Sequence, residues 1–197
     1  LCLASLLWTK TAGAQTAQKG LIKRKRSPWF TPLEDASIQC ELCPRQCRMA
    51  PGARGRCKVR ENHAGDCYSL VYGNPCLVQL DPVERKPFFH VLPGTQSLSV
   101  ATVGCNIECK FCESWDMALV APEDVYAYDL PPEAVIEQAR ATKAVSVSYA
   151  FGEPAVFYEY METTATLAKR AKLLNLVQTN GFIARRLLEA LCGRLDA

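Results

Sequence analysis

Cysteines 105, 109 and 112, in the run Val103-Gly-Cys-Asn-Ile-Glu-Cys-Lys-Phe-Cys112, constrain this chain more than any other feature. The spacing C-x3-C-x2-C sets three soft ligands on one short loop, with aromatic Phe111 directly before the last. Cys105, Cys109 and Cys112 can hold three irons of a cubane 4Fe–4S cluster and leave the fourth without a protein ligand. An open iron at a reducing centre takes a substrate or cofactor, so the pattern points to chemistry rather than electron storage. A structural zinc site completed by a distant fourth ligand is the competing reading.

Composition supports metal. The chain has 197 residues and 11 cysteines, nine of them between Cys40 and Cys112 in closely spaced groups. Secreted disulfide frameworks are short and even in cysteine count, and this chain is neither. Cys2 and Cys192 stand apart and read as small buried hydrophobes. The net charge of +3 is too small to imply a nucleic-acid partner. The basic run Lys23-Arg-Lys-Arg26 reads as a solvated linker.

The residues divide into three stretches. Residues 1–36 read as a signal-peptide remnant and linker. Leu1 to Trp8 is apolar but too short to span a bilayer, and Thr11 to Gln15 resembles a cleavage region. These features favour export in folded form by a twin-arginine route; the alternative is the cytoplasm, where clusters are assembled. Residues 37–95 are rich in Cys, Pro, Gly and charge, and read as a loop-dominated, metal-binding region kept irregular by Pro82, Pro87 and Pro93.

From residue 96 the pattern becomes α/β. Leu98 to Val103 reads as a strand ended by Gly104 and the cysteine loop. A helix follows from Pro131 to about Thr142, then a strand over Val145 to Tyr149. Val156, Phe157, Tyr160, Thr164, Leu167, Ala168 and Ala171 recur at helical spacing. Leu174 to Thr179 reads as a third strand and Ala184 to Leu191 as a final helix. Such alternation predicts parallel strands with right-handed crossovers. The expectation is the first three strand–helix units of a (β/α) barrel, with chemistry on the loops after the strands.

Cys40, Cys43, Cys47 and Cys57 form C-x2-C-x3-C-x9-C, a set for a second metal site. Zinc, an auxiliary iron–sulfur cluster and disulfides all remain open, and Cys67 or Cys76 can replace one of the four. His63, Lys86 and His90 read as structural residues, and Asn106 and Lys110 as residues that shape the cysteine loop.

The cysteine trio in this context resembles the radical S-adenosylmethionine (SAM) superfamily. That resemblance implies a 4Fe–4S cluster, SAM chelated to its unique iron, and an external electron donor. It further implies reductive cleavage of SAM to a 5′-deoxyadenosyl radical that abstracts hydrogen. Phe151-Gly-Glu-Pro154 is similar to the superfamily's Gly-Gly-Glu-Pro element, which implies that Gly152 and Glu153, with Phe111, seat SAM. Phe151 stands where the first glycine often is. Thr179-Asn-Gly181 resembles a Thr-Asn-Gly found in activating-enzyme-like members, so Asn180 either lies at the SAM site or caps the next helix.

Cys40-Glu-Leu-Cys-Pro-Arg-Gln-Cys47, Gly55-Arg-Cys-Lys-Val-Arg-Glu-Asn62, Asp81-Pro-Val-Glu-Arg-Lys-Pro87 with His90, and Tyr158-Glu-Tyr160 narrow the resemblance. They are similar to the radical SAM enzyme of the AmmeMemoRadiSam system, related to pyruvate formate-lyase-activating enzymes, over roughly residues 28 to 197. Many members carry Gln-Asn where this chain has Glu113-Ser114, and often Asn where it has Gly152. Members are longer at the C-terminus, so a fragment truncated at both ends is expected. A protein partner of the AmmeMemoRadiSam set is implied. Activation of a glycyl radical enzyme is the alternative activity, and a non-catalytic iron–sulfur or zinc electron-transfer or scaffold protein is the non-enzymatic alternative.

Overall fold

The computed structural model describes residues 16–197, so residues 1–15, where a leader remnant is expected and where Cys2 lies, fall outside it. The stretch expected to be linker carries β1 (Gln18–Lys19), β2 (Lys25–Arg26) and β3 (Phe30–Pro32). β4 (Ile38–Cys40) pairs with β3 and with β5 (Arg48–Met49), both antiparallel. β6 (Arg60–His63) and β7 (Asp66–Ser69) form a hairpin, and β2 joins the outer edge of β7. Both turn residues of this hairpin have positive φ, 52° at Ala64 and 92° at Gly65, as a two-residue type I′ turn requires.

Asn62 joins these two small sheets. Its amide donates to the carbonyls of Ala36 (2.9 Å) and Met49 (2.8 Å) and its oxygen accepts from Gly65 N (2.8 Å). Ile38, Leu42, Met49, Val59 and Cys67 close the apolar space between them. Residues 37–95 are thus more regular than their composition suggests.

β8 (Leu77–Pro82) and β9 (Gln96–Ala101) pair antiparallel along their whole length. A one-turn helix α1 (Trp115–Ala118) follows the cysteine loop, and β10 (Tyr126–Ala127) pairs back with β1. Then come α2 (Pro132–Ala141), β11 (Ser146–Tyr149), α3 (Tyr158–Arg170), β12 (Leu174–Val177) and α4 (Arg185–Cys192). The main sheet has the order β12-β11-β9-β8. β9, β11 and β12 are parallel, as the strand–helix alternation requires, but β8 is an antiparallel edge. An all-parallel sheet is therefore corrected to a mixed one: β8 reaches β9 by a connection without a crossover helix, which reverses its direction.

Register divides the sheet into two faces. Leu98 and Val100 lie opposite Val147 and Tyr149, and all four share one core with Val135, Ile136 and Ala139 of α2 and Tyr160, Met161, Ala165 and Ala168 of α3. Fully burying one such aliphatic side chain contributes about 1.5–3 kcal/mol. The other face carries serines, and Ser97 and Ser148 share a 2.6 Å hydrogen bond. The whole is a mixed α/β fold with several small sheets. Among the described residues no helix is long and apolar enough to cross a membrane.

Candidate metal-cluster site

The cysteine loop leaves the C-terminal end of β9 through Gly104, whose φ is +96°. A Cβ at this position would lie 2.6 Å from the Cys57 carbonyl oxygen and 2.7 Å from a Val59 methyl, so only glycine fits. Gly104 N donates to Met117 O (2.9 Å), closing the loop onto α1. Cys105, Cys109 and Cys112 are half-buried along this loop, and Phe111 is 89 % exposed. Cys112 N donates to Cys109 O (3.3 Å), and Ile107 N donates to Cys105 Sγ (3.4 Å). Burial pushes the Cys105 thiol up against the pull of the Ile107 N–H, and the Glu153 charge raises it further.

β11 ends in Phe151-Gly-Glu-Pro154. Phe151 holds φ +68°, a left-handed conformation that costs a side chain roughly 1–2 kcal/mol. Gly152 packs so tightly that a Cβ would lie 2.9 Å from Thr102 O, at the end of β9. Glu153 is 5 % exposed, and its carboxylate is the hub of the region. It accepts from Ala155 N (2.9 Å), the Thr179 hydroxyl (2.7 Å) and Asn180 N (2.9 Å). The first bond caps the turn leading into α3; the other two fasten the end of β12 to the end of β11.

Asn180 carries the connection to the cysteines. Its amide nitrogen donates to Asn106 Oδ1 (3.0 Å) and Cys105 Sγ (3.8 Å), and its oxygen accepts from Phe182 N (2.8 Å). α4 is N-capped at Ala184, so Asn180 does not cap that helix. Asn106, 2 % exposed, donates to Phe182 O (2.7 Å), and its own carbonyl accepts from Arg45 Nε (2.5 Å). The structure thus brings Cys105, Glu153 and Asn180 together at the C-terminal ends of three parallel strands. Asn106 and Arg45 are site residues that the sequence reading passed over or left as loop-shaping.

Among the described residues no three His, Cys, Asp or Glu side chains are disposed to hold a single metal ion. A cubane makes a different demand, since its three thiolates bind separate irons and stand farther apart than the ligands of one ion. A loop with three half-buried thiols, two N–H donors at Cys105 Sγ and an open outer side fits such a group.

The N-terminal thiols form a second gathering. Cys40 ends β4, Cys43 and Cys47 lie between β4 and β5, and Cys57 precedes β6. All four line one enclosed cavity with Arg60 and Asn106. The neighbouring Cys67 thiol draws the Cys40 thiol down, while burial pushes Cys57 up to about 12. Cys76 lies apart and donates to Ala101 O (3.6 Å). Cys192, expected to be buried, is exposed, because the apolar face of α4 is carried by Leu187 and Leu191. His63 and His90 are exposed, and Lys86 is buried beside Asp81 (3.4 Å).

Residues 99–196 match the Radical SAM superfamily. The chain is 36 % identical over 167 residues to the uncharacterized protein MJ0808 of Methanocaldococcus jannaschii. The match takes in 85 % of this chain and 50 % of that protein, so the chain spans half the length of its relative. No solved structure matches.

Proposed function

We propose that the chain is the opening part of a radical SAM enzyme, its parallel strands being the first units of a (β/α) barrel. Cys105, Cys109 and Cys112 would hold the cluster, and Gly152, Glu153, Phe111 and Asn180 would surround SAM. Held there and reduced by an external donor, a 4Fe–4S cluster would supply the one-electron reductive cleavage of SAM to methionine and a 5′-deoxyadenosyl radical for hydrogen abstraction from a substrate. What carries the reading is the hydrogen-bonded chain from Glu153 through Asn180 to Cys105, which ties the cysteine loop to the ends of two neighbouring strands.

The protein's part is placement. Gly152 lets the backbone approach within van der Waals reach of whatever lies over the strand ends. Glu153 keeps lone-pair capacity on Oε2 beyond the Asn180 bond, enough to accept from an ammonium group. The AmmeMemoRadiSam-type assignment is supported by the lie of its characteristic segments. Arg45 and Cys57 of those segments touch Asn106 and Gly104 of the cysteine loop.

The test is electron paramagnetic resonance on the anaerobically reconstituted, reduced protein, with and without SAM. A 4Fe–4S signal that shifts with SAM and vanishes in Cys109→Ala supports the reading. A signal indifferent to SAM leaves a non-catalytic iron–sulfur protein instead.

A further inference from the structure

The four N-terminal cysteines come from two separate hydrogen-bonded turns. Gln46 N donates to Cys43 O (3.1 Å) between Cys43 and Cys47, and Lys58 N donates to Gly55 O (2.9 Å) around Cys57. Cys40 N donates to Cys47 O (2.9 Å), which fixes the first three thiols on one hairpin. The two turns meet across an enclosed cavity of ≈ 20 Å³ whose wall includes all four cysteines. A space of this size admits about one water-sized particle. A single ion is of that size.

Arg60 forms part of the same wall and is 1 % exposed. Its terminal nitrogens are used by Glu159 (2.6 Å each) and Val156 O (2.9 Å). Among the described residues its Nε has no hydrogen-bond partner. A buried guanidinium N–H without an acceptor is costly, and four neutral thiols offer only weak acceptors. Four thiolates on a divalent ion carry a net charge of −2, and their sulfurs are good acceptors for such a donor. Cys67 is fully buried and neighbours Cys40, within reach of its sulfur.

From these observations we infer that Cys40, Cys43, Cys47 and Cys57 form a closed tetrathiolate site for one zinc-class divalent ion, with Arg60 and Cys67 as donors to its sulfurs. The thiols line the cavity without converging on one point, so closure takes rotation of the cysteine side chains on a backbone the two turns already fix. The site is structural: all four positions are protein ligands and none is left open for a substrate. Through Asn106, which borders the cavity and bonds to Asn180, it braces the cysteine loop from below.

This inference stands apart from the radical SAM reading, and its test removes that site. Full-length protein with Cys105, Cys109 and Cys112 all changed to Ala is purified without added metal, and its zinc, iron and sulfide are measured. About one zinc per chain, lost in the further variant Cys43→Ala/Cys47→Ala, supports the inference. Cobalt exchanged into the triple variant checks the ligands without touching them. Strong sulfur-to-cobalt charge-transfer bands with tetrahedral d–d bands support four thiolates, and an octahedral spectrum overturns them. Iron with sulfide in the triple variant overturns the single ion in favour of an auxiliary cluster. Absence of metal, with cysteines that alkylate only after reduction, overturns it in favour of disulfides.

Discussion

Asn180 contributes a hydrogen bond to sulfur, and such bonds stabilise the more reduced, more negative state of a cluster. Asn180→Ala is expected to lower the midpoint potential of the reconstituted cluster, measured by spectroelectrochemical titration; an unchanged potential would remove Asn180 from this role. Gly104→Ala drives a methyl into the Cys57 carbonyl and should cost roughly 2–4 kcal/mol of stability by urea denaturation, combining overpacking with the left-handed backbone. The cysteines themselves were legible at this scale because their spacing is local. Asn106 was not. Its partners Arg45, Phe182 and Asn180 lie 61, 76 and 74 positions away, and no periodicity joins residues so distant.

At the scale of elements, β9, β11, β12 and their helices were legible from short apolar runs alternating with amphipathic stretches. β8 was hidden because Leu77-Val-Gln-Leu-Asp-Pro82 lies among cysteines and prolines, and it becomes a strand only by pairing with β9. The β6–β7 hairpin was masked by an Ala-Gly turn in place of the stronger Asn-Gly. Arg60 of β6 and Glu159 of α3 form the buried link between these parts, at 2.6 Å. Burial opposes ionisation of Glu159, but the Arg60 charge and hydrogen bonds outweigh it and hold the carboxyl below the usual glutamate range. The contribution of this pair is therefore complete above the unfolded glutamate value of about 4.3 and is lost as pH falls through the lower folded value. Glu159→Gln leaves a buried guanidinium half-paired and should cost about 3–5 kcal/mol at neutral pH. Its denaturation midpoint should also lose acid sensitivity relative to the parent, and an equal acid slope in both proteins would exclude Glu159 as its source.

Across the whole molecule, the cysteine-rich stretch and the α/β stretch are joined by Arg60–Glu159 and by Arg45 on Asn106, and the N-terminal stretch reaches the α/β stretch through β1 pairing with β10. Contacts this central predict one cooperative transition. Fluorescence of Trp29 and Trp115, which lie in different stretches, should change at the same denaturant concentration as far-ultraviolet circular dichroism. Two separated transitions would mark independently folding units. The Cys57 carbonyl occupies the space a side chain at position 104 would need. Inheritance then acts on the two cysteine segments as one unit: a change of backbone course around Cys57 is tolerated only with a matching change around Gly104. Neither segment can be exchanged for that of a distant relative without its counterpart.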